Sequence, residues 1–187
     1  MDPFNADLKT LIAAARNLAE ETGNAFGLLS PFQLNWKPAP NRWSVVQCFD
    51  HLLTTNQGYF PVIDDVLAGK KRGLWEKVPL LPKLTGRFFI KVLDPSSTRK
   101  LKAPKGFQPV QSDLPESVIG EFVDQQQRLM DRMRATEHLN PDKIVITSPV
   151  AAVITYSLMD AYRIIVVHQQ RHFLQAKRVT EEQGFPV

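Results

Sequence analysis

Four histidines, at positions 51, 138, 168 and 172, are the side chains of this sequence best suited to chemistry, and their positions are not equivalent. His168 and His172 lie one helical turn apart in an uninterrupted helical pattern, so both imidazoles leave one face within reach of a single ion. That spacing alone is common on helix surfaces. Here, however, Tyr162, Ile165, Gln175 and Val179 continue the same stripe, which is the inward one. A buried imidazole nitrogen without a partner costs roughly 1–3 kcal/mol, whereas a divalent ion satisfies one nitrogen of every ring. A third ligand has to come from another helix, and His51 is the best placed. Its face carries Ser44, Gln47, Cys48, Thr54, Thr55 and Gly58, small or polar side chains that leave room for a wet cavity. The expected cavity lining is Gln47, Cys48 and Thr55 with Tyr162 and Gln175. His138 closes its helix just before Asn140-Pro141, where a histidine commonly meets terminal carbonyls, and is read as structural.

Four periodic segments must position these groups. Leu8, Leu11, Ile12, Ala15 and Ala19 predict a first helix over Asn5 to Thr22, stopped by Gly23. A second, Val45 to Leu67, starts after the N-cap Ser44; Pro61 inside it removes a donor and is expected to kink it near Gly58. A third, Leu114 to Glu137, opens on a D-x-x-E capping box at Asp113 and Glu116. The fourth runs from Ser157 to about Glu182, before Gly184 and Pro186. Between the second and third, prolines recur and periodicity fades, with one short helix expected at Leu84 to Leu93. The β-branched run Lys143 to Thr147 is read as extended or irregular, too isolated to imply a sheet. Four long helices and one core predict an all-α four-helix bundle with a long basic connection, a single domain over residues 1–187.

Composition bounds the rest. With 187 residues, 43% of them hydrophobic and 22% charged, the chain is an ordinary globular domain that needs no staple to fold. The single cysteine, Cys48, cannot form an internal bridge, and the N-terminus has neither the basic segment nor the apolar run of a secretory signal, so a cytoplasmic protein is expected. No stretch approaches the 18 apolar residues of a membrane span. The net charge of +4 is unevenly spread: residues 70–105 hold 11 of the 23 basic residues and two acids, making that segment +9 and the remainder −5. Such a run could face an anion or a nucleic acid. Only Trp75, Phe88, Phe89 and Phe107 accompany it, which is too few aromatics for single-strand stacking, so a solvated loop is favoured over a nucleic-acid surface.

Two motifs resemble the DinB-like superfamily of metal-binding four-helix bundles. Asn41 to Leu52, reading N-R-W-S-V-V-Q-C-F-D-H-L, is similar to that family's W-S-x-x-[Q/E]…H-L opening of its second helix. His168 to Val179 is similar to its H-x-x-[R/E]-H-x-x-Q helix, and Ala103 to Pro109 is a weaker loop match. The resemblance implies a three-histidine centre at His51, His168 and His172, holding nickel or zinc with water in the remaining positions. It also implies a homodimer through helix contacts, to which Ala13-Ala14, Ile164 and Val166-Val167 would contribute. Members include thiol-dependent S-transferases and isomerases that use bacillithiol, mycothiol or glutathione.

Three neutral ligands around an ion with open positions can lower the pKa of a bound water or thiol. Hydrolysis asks for a general base, but Asp50, beside His51 in sequence, points about 100° away around the helix. Thiol transfer asks less of the protein, since the basic loop could hold an anionic low-molecular-weight thiol, and it is ranked first. A metal-dependent hydrolase and a non-catalytic metal- or ligand-binding bundle are the alternatives. Cys48, on the face of His51, is either a thiolate or, as the favoured reading, a small buried filler. Trp43 reads as a staple-like core residue and Arg171 as an exposed cation that could contact a substrate anion.

Overall fold

The computed structural model describes residues 2–70, 81–97, 105–109 and 113–187. Of the basic run, Lys71, Arg72, Lys77, Arg99, Lys100 and Lys102 lie outside the described residues, as do Trp75 and the Ala103-Pro104 start of the loop motif.

The fold is all-α apart from one hairpin. Four long helices make the bundle: α1 (Leu8–Phe26), α3 (Val45–Leu67), α5 (Ser117–Thr136) and α6 (Leu158–Thr180). Two shorter helices, α2 (Pro31–Asn35) and α4 (Leu81–Leu93), sit in the connections. In the ring, α1 lies beside α5 and α6, and α3 lies beside the same two helices from the other side. No helix among the described residues is long and apolar enough to cross a membrane.

Local chemistry explains most of the boundaries. Ser44 and Gln47 form a reciprocal capping box that starts α3, and Ser157 starts α6 by accepting from the Asp160 amide at 3.0 Å. α3 then runs unbroken through Pro61. α1 does not stop at Gly23. It continues to Phe26, whose ring reaches Phe49 and Phe173 at centroid distances of 5.3 and 5.6 Å, so that burial outweighs the glycine's weak helix propensity. The capping box expected at Asp113 is not formed, and α5 begins only at Ser117 with no side-chain cap. The amide and carbonyl of Leu114 are instead held by the Asn35 side chain, both at 2.9 Å, which fixes the chain before α5 from outside the helix.

The run read as isolated does form a sheet. β1 (Val145–Ser148) pairs antiparallel with β2 (Ala151–Ser157), in the register Ile146 to Tyr156 and Thr147 to Thr155, with an irregularity at Thr147/Ser148. Its partner strand lies immediately before the Ser157 cap. α4 packs on β2 and α6 and so closes one side of the bundle. The apolar flank of α6 at Ile164, Val166 and Val167, expected to pair with a second copy, is buried within the chain.

The core falls into two apolar clusters. One gathers Leu11, Tyr59, Ile63, Leu129, Met133 and Ile165; the other gathers Leu18, Phe26, Phe49, Phe122, Phe173 and Val179. Between them each long helix changes character. α3 presents His51, Thr55 and Asn56, α5 presents Gln125 and Gln126, and α6 presents His168, Gln169 and His172, all buried, while α1 contributes only Ala15.

Candidate metal centre

His51, His168 and His172 come together in that middle layer, each at most 8% exposed. The two on α6 are presented by consecutive turns, and His51 faces them from α3. The His168 Nε2 atom lies 3.2 Å from His51 Nε2 and 3.0 Å from His172 Nε2, and the three potential ligand atoms all fall within 4.8 Å of one another. The ring centroids are 4.6–5.0 Å apart at steep mutual angles, so nitrogens rather than ring faces converge.

The surroundings orient the rings. His51 Nδ1 makes a short hydrogen bond to the Phe107 carbonyl, which can only accept, so the proton of this ring sits on Nδ1 and the Nε2 lone pair points inward. Trp43 lies against two of the rings, stacked on His172 at 5.4 Å and 22° and tilted against His51 at 5.0 Å. It is therefore a wall of the site as well as a residue before the helix cap. Gln175, which favours a proton on His172, stands near that ring, although His172 Nδ1 has no hydrogen bond of ordinary geometry.

Electrostatics keep all three imidazoles neutral. Burial pushes His168 down to about 3, with His51 and Arg171 acting in the same direction. Burial also lowers His172 well below the usual range, assisted by His168, His51 and Arg171. His51 is lowered by burial too, against the opposing pull of the Phe107 carbonyl and Asp50. A neutral ring carries one N–H, and the single Nε2 of His168 cannot direct one along both of its close contacts. Three neutral imidazoles with convergent nitrogens, one ring oriented from behind by a carbonyl, are a donor set that fits a divalent metal ion.

The site opens into a cavity of about 1100 Å³. Of the expected lining, Thr55 and Gln175 border it, and Gln47, Cys48 and Tyr162 do not. Each has a physical reason. The Gln47 amide is spent on the α3 capping box. Cys48 is fully buried in the cluster with Phe49 and Phe122, where burial pushes its thiol well above the ordinary range, so it is a filler and not a thiolate. Tyr162 turns into the opposite cluster and meets the Thr136 hydroxyl at 2.8 Å. Arg171 is half-buried rather than free: its Nη1 donates to the carbonyls of Val92, Asp94 and Ser97 at 3.2–3.3 Å, tying the end of α4 to the histidine helix. His138 is exposed in the turn after α5, away from the other three.

Some site residues escaped the sequence reading. The Phe107 carbonyl carries no side-chain signal, although the loop motif that contains it was visible. Tyr59 and Tyr156 share a hydroxyl contact of 2.7 Å on the cavity wall, with Ser148 bonded to Tyr156, and burial holds both phenols above their ordinary range and thus protonated. Tyr156 belongs to the strand that periodicity did not reveal.

The sequence model of the DinB superfamily matches residues 12–176, a span that includes all three histidines. The chain belongs to the DinB superfamily. No curated protein and no solved structure matches it. The DinB bundle explains why His51 on α3 meets two consecutive turns of α6 in one layer, although more than a hundred residues separate them in sequence, and its buried imidazoles form a group that could hold a metal ion.

Proposed function

We propose that this DinB protein holds a divalent metal, nickel or zinc, at His51, His168 and His172 and uses it in thiol-dependent S-transfer. The observation that carries the reading is the convergence of three neutral, buried Nε2 atoms on the wall of a cavity large enough for a small molecule. When bound, such an ion lowers the pKa of a coordinated thiol or water and so supplies a nucleophile near neutral pH.

The chain's own residues bind and orient. The Phe107 carbonyl fixes the tautomer of His51, and Trp43 holds His51 and His172 in place. Arg171 anchors the wall at Val92 to Ser97. The transfer balances as an S–C bond formed while the carbon–leaving-group bond breaks, the leaving group taking the electron pair and the thiol proton passing to solvent. Hydrolysis is supported less well, because no carboxylate is among the described residues that line the cavity to serve as general base.

Two measurements test the reading. Protein purified without a histidine tag should contain close to one equivalent of nickel or zinc, and metal-free protein that takes up neither would overturn it. Incubation of the metal-loaded protein with an electrophilic aryl halide and bacillithiol, mycothiol or glutathione should accelerate conjugate formation over buffer with at least one thiol. Stoichiometric metal with no acceleration would leave a metal-binding bundle in place of a transferase.

A further inference from the structure

The cavity wall is graded along α6. Ile164 and Ile165 line one end, His168 and His172 the middle, and Gln175 and Arg178 the other end. At about 1.5 Å of rise per residue, Ile165 and Arg178 are roughly 20 Å apart along the helix, with the imidazoles between them. Opposite the isoleucines, α4 adds Phe89, Val92 and Leu93 to the apolar end. Opposite Arg178 stands Arg42, fixed to Glu182 at 2.6 Å. The two other guanidinium groups are thus committed, Arg42 to a carboxylate and Arg171 to three carbonyls. Arg178 is exposed at the cavity rim, forms no ion pair or hydrogen bond among the described residues, and its charge is felt by Arg171 and by the Cys48 thiol. None of the described residues that line the cavity is acidic.

We infer that the cavity is two-ended: Arg178 receives an anionic group, a carboxylate or sulfonate, and the surface of Ile164, Ile165 and Phe89 receives an apolar body, so that the histidines face the junction of the two. In terms of the transfer proposed above, on which this assignment of roles rests, the thiol is the anionic partner and enters at Arg178, and the electrophile is the apolar partner and lies under α4. A charged hydrogen bond to a guanidinium selects the anion, and the apolar end, where Ile164, Ile165 and Phe89 are joined by the neutral phenols of Tyr59 and Tyr156, offers an anion no cation.

The binding test uses neither metal nor thiol, so its failure is distinguishable from failure of the metal centre. Metal-free protein is titrated by fluorescence with 1-anilinonaphthalene-8-sulfonate and with N-phenyl-1-naphthylamine, which shares its apolar body and lacks the sulfonate. The sulfonate should bind about tenfold more tightly, as one charge-assisted hydrogen bond implies. Arg178→Gln should remove that advantage and leave the uncharged probe unchanged, and Arg178→Lys should retain most of it. Arg134→Gln, on the exposed face of α5, should change neither. Phe89→Ser should weaken both probes. Equal affinity for the two probes, or a sulfonate affinity unchanged in Arg178→Gln, overturns the anionic end. Unchanged binding of both probes to Phe89→Ser overturns the apolar end.

Discussion

The two apolar clusters and the layer between them are built on opposite terms. In the clusters, side chains are mostly hydrocarbon and pack on one another: Phe49 and Phe122 meet at a centroid distance of 4.9 Å and both are fully buried. In the layer, buried groups are polar and many lack partners. Asn56 donates to Gln125 at 2.9 Å, and Gln125 donates to the Leu53 carbonyl at 3.0 Å, but Asn56 Oδ1 and both amide atoms of Gln126 and Gln169 have no hydrogen bond. Such groups oppose folding, whereas the clusters drive it. The contrast assigns stability to the ends of the bundle and chemistry to its middle, and it can be broken or sharpened by substitution in each region.

The largest effect belongs to a cluster. Phe122→Ala removes a fully buried ring and leaves a cavity beside Phe49, so urea unfolding should show a loss of about 3–5 kcal/mol, the same with and without divalent metal. A loss below about 1 kcal/mol would show that the clusters do not carry the fold. Next comes the layer's own contribution, which depends on metal. If the histidines hold an ion, metal at about a hundred times its dissociation constant stabilises the native protein by about 2.7 kcal/mol. A thermal upshift on adding nickel or zinc should therefore appear in the wild type and in His138→Ala and be absent in His51→Ala, His168→Ala and His172→Ala. An upshift that survives in His168→Ala would place the ion elsewhere.

The pH dependence separates the regions again. In metal-free protein the three imidazoles have folded-state pKa values below that of an unfolded histidine, about 3 for His168. The unfolded chain therefore binds more protons through that interval. Stability is fully present above about pH 6.5 and falls as the solution is acidified, by up to about 1.4 kcal/mol per pH unit for each histidine. Between about pH 5 and 6.5 few carboxylates titrate, so the slope there should flatten in the His168→Ala/His172→Ala double variant and persist in His138→Ala. Equal slopes in all three proteins would mean that the layer is not the acid-sensitive part.

The clusters were legible in the sequence and the layer only in part, for a physical reason. A hydrophobic stripe repeats with the helix, so the span of α3 and the start of α6 followed from Ser44, Ser157 and the apolar spacing. The one-turn spacing of His168 and His172 and the polar face of His51 were visible by the same rule. What was not visible depends on contacts between distant segments. The Phe107 carbonyl approaches His51 from a loop, Asn35 replaces a local cap at Leu114, and Phe26 carries α1 past Gly23. Ala151 to Ser157 needed a partner strand to become β2, and Cys48 on its helix gave no sign that it faces Phe49's cluster and not the cavity. The buried glutamines were missed because an isolated Gln in a helical pattern reads as surface.

The smallest expected effect is also the one of opposite sign. Gln126 is fully buried on α5 between Phe122 and Leu129, with neither amide atom hydrogen-bonded. Methionine has a similar length and no group that needs a partner, so Gln126→Met should stabilise the protein by about 1 kcal/mol, read as a higher urea midpoint at unchanged slope. The same substitution made at Gln125, whose amide bridges Asn56 and the Leu53 carbonyl, should instead destabilise by about 1–3 kcal/mol, because it strips the buried Asn56 amide of its acceptor and the half-buried Leu53 carbonyl of a donor. The pair of variants tests the contrast within one helical turn. If Gln126→Met destabilises as much as Gln125→Met, the Gln126 amide is satisfied in solution, and the layer is a closed polar network rather than a region that sacrifices stability to keep polar groups beside the histidines.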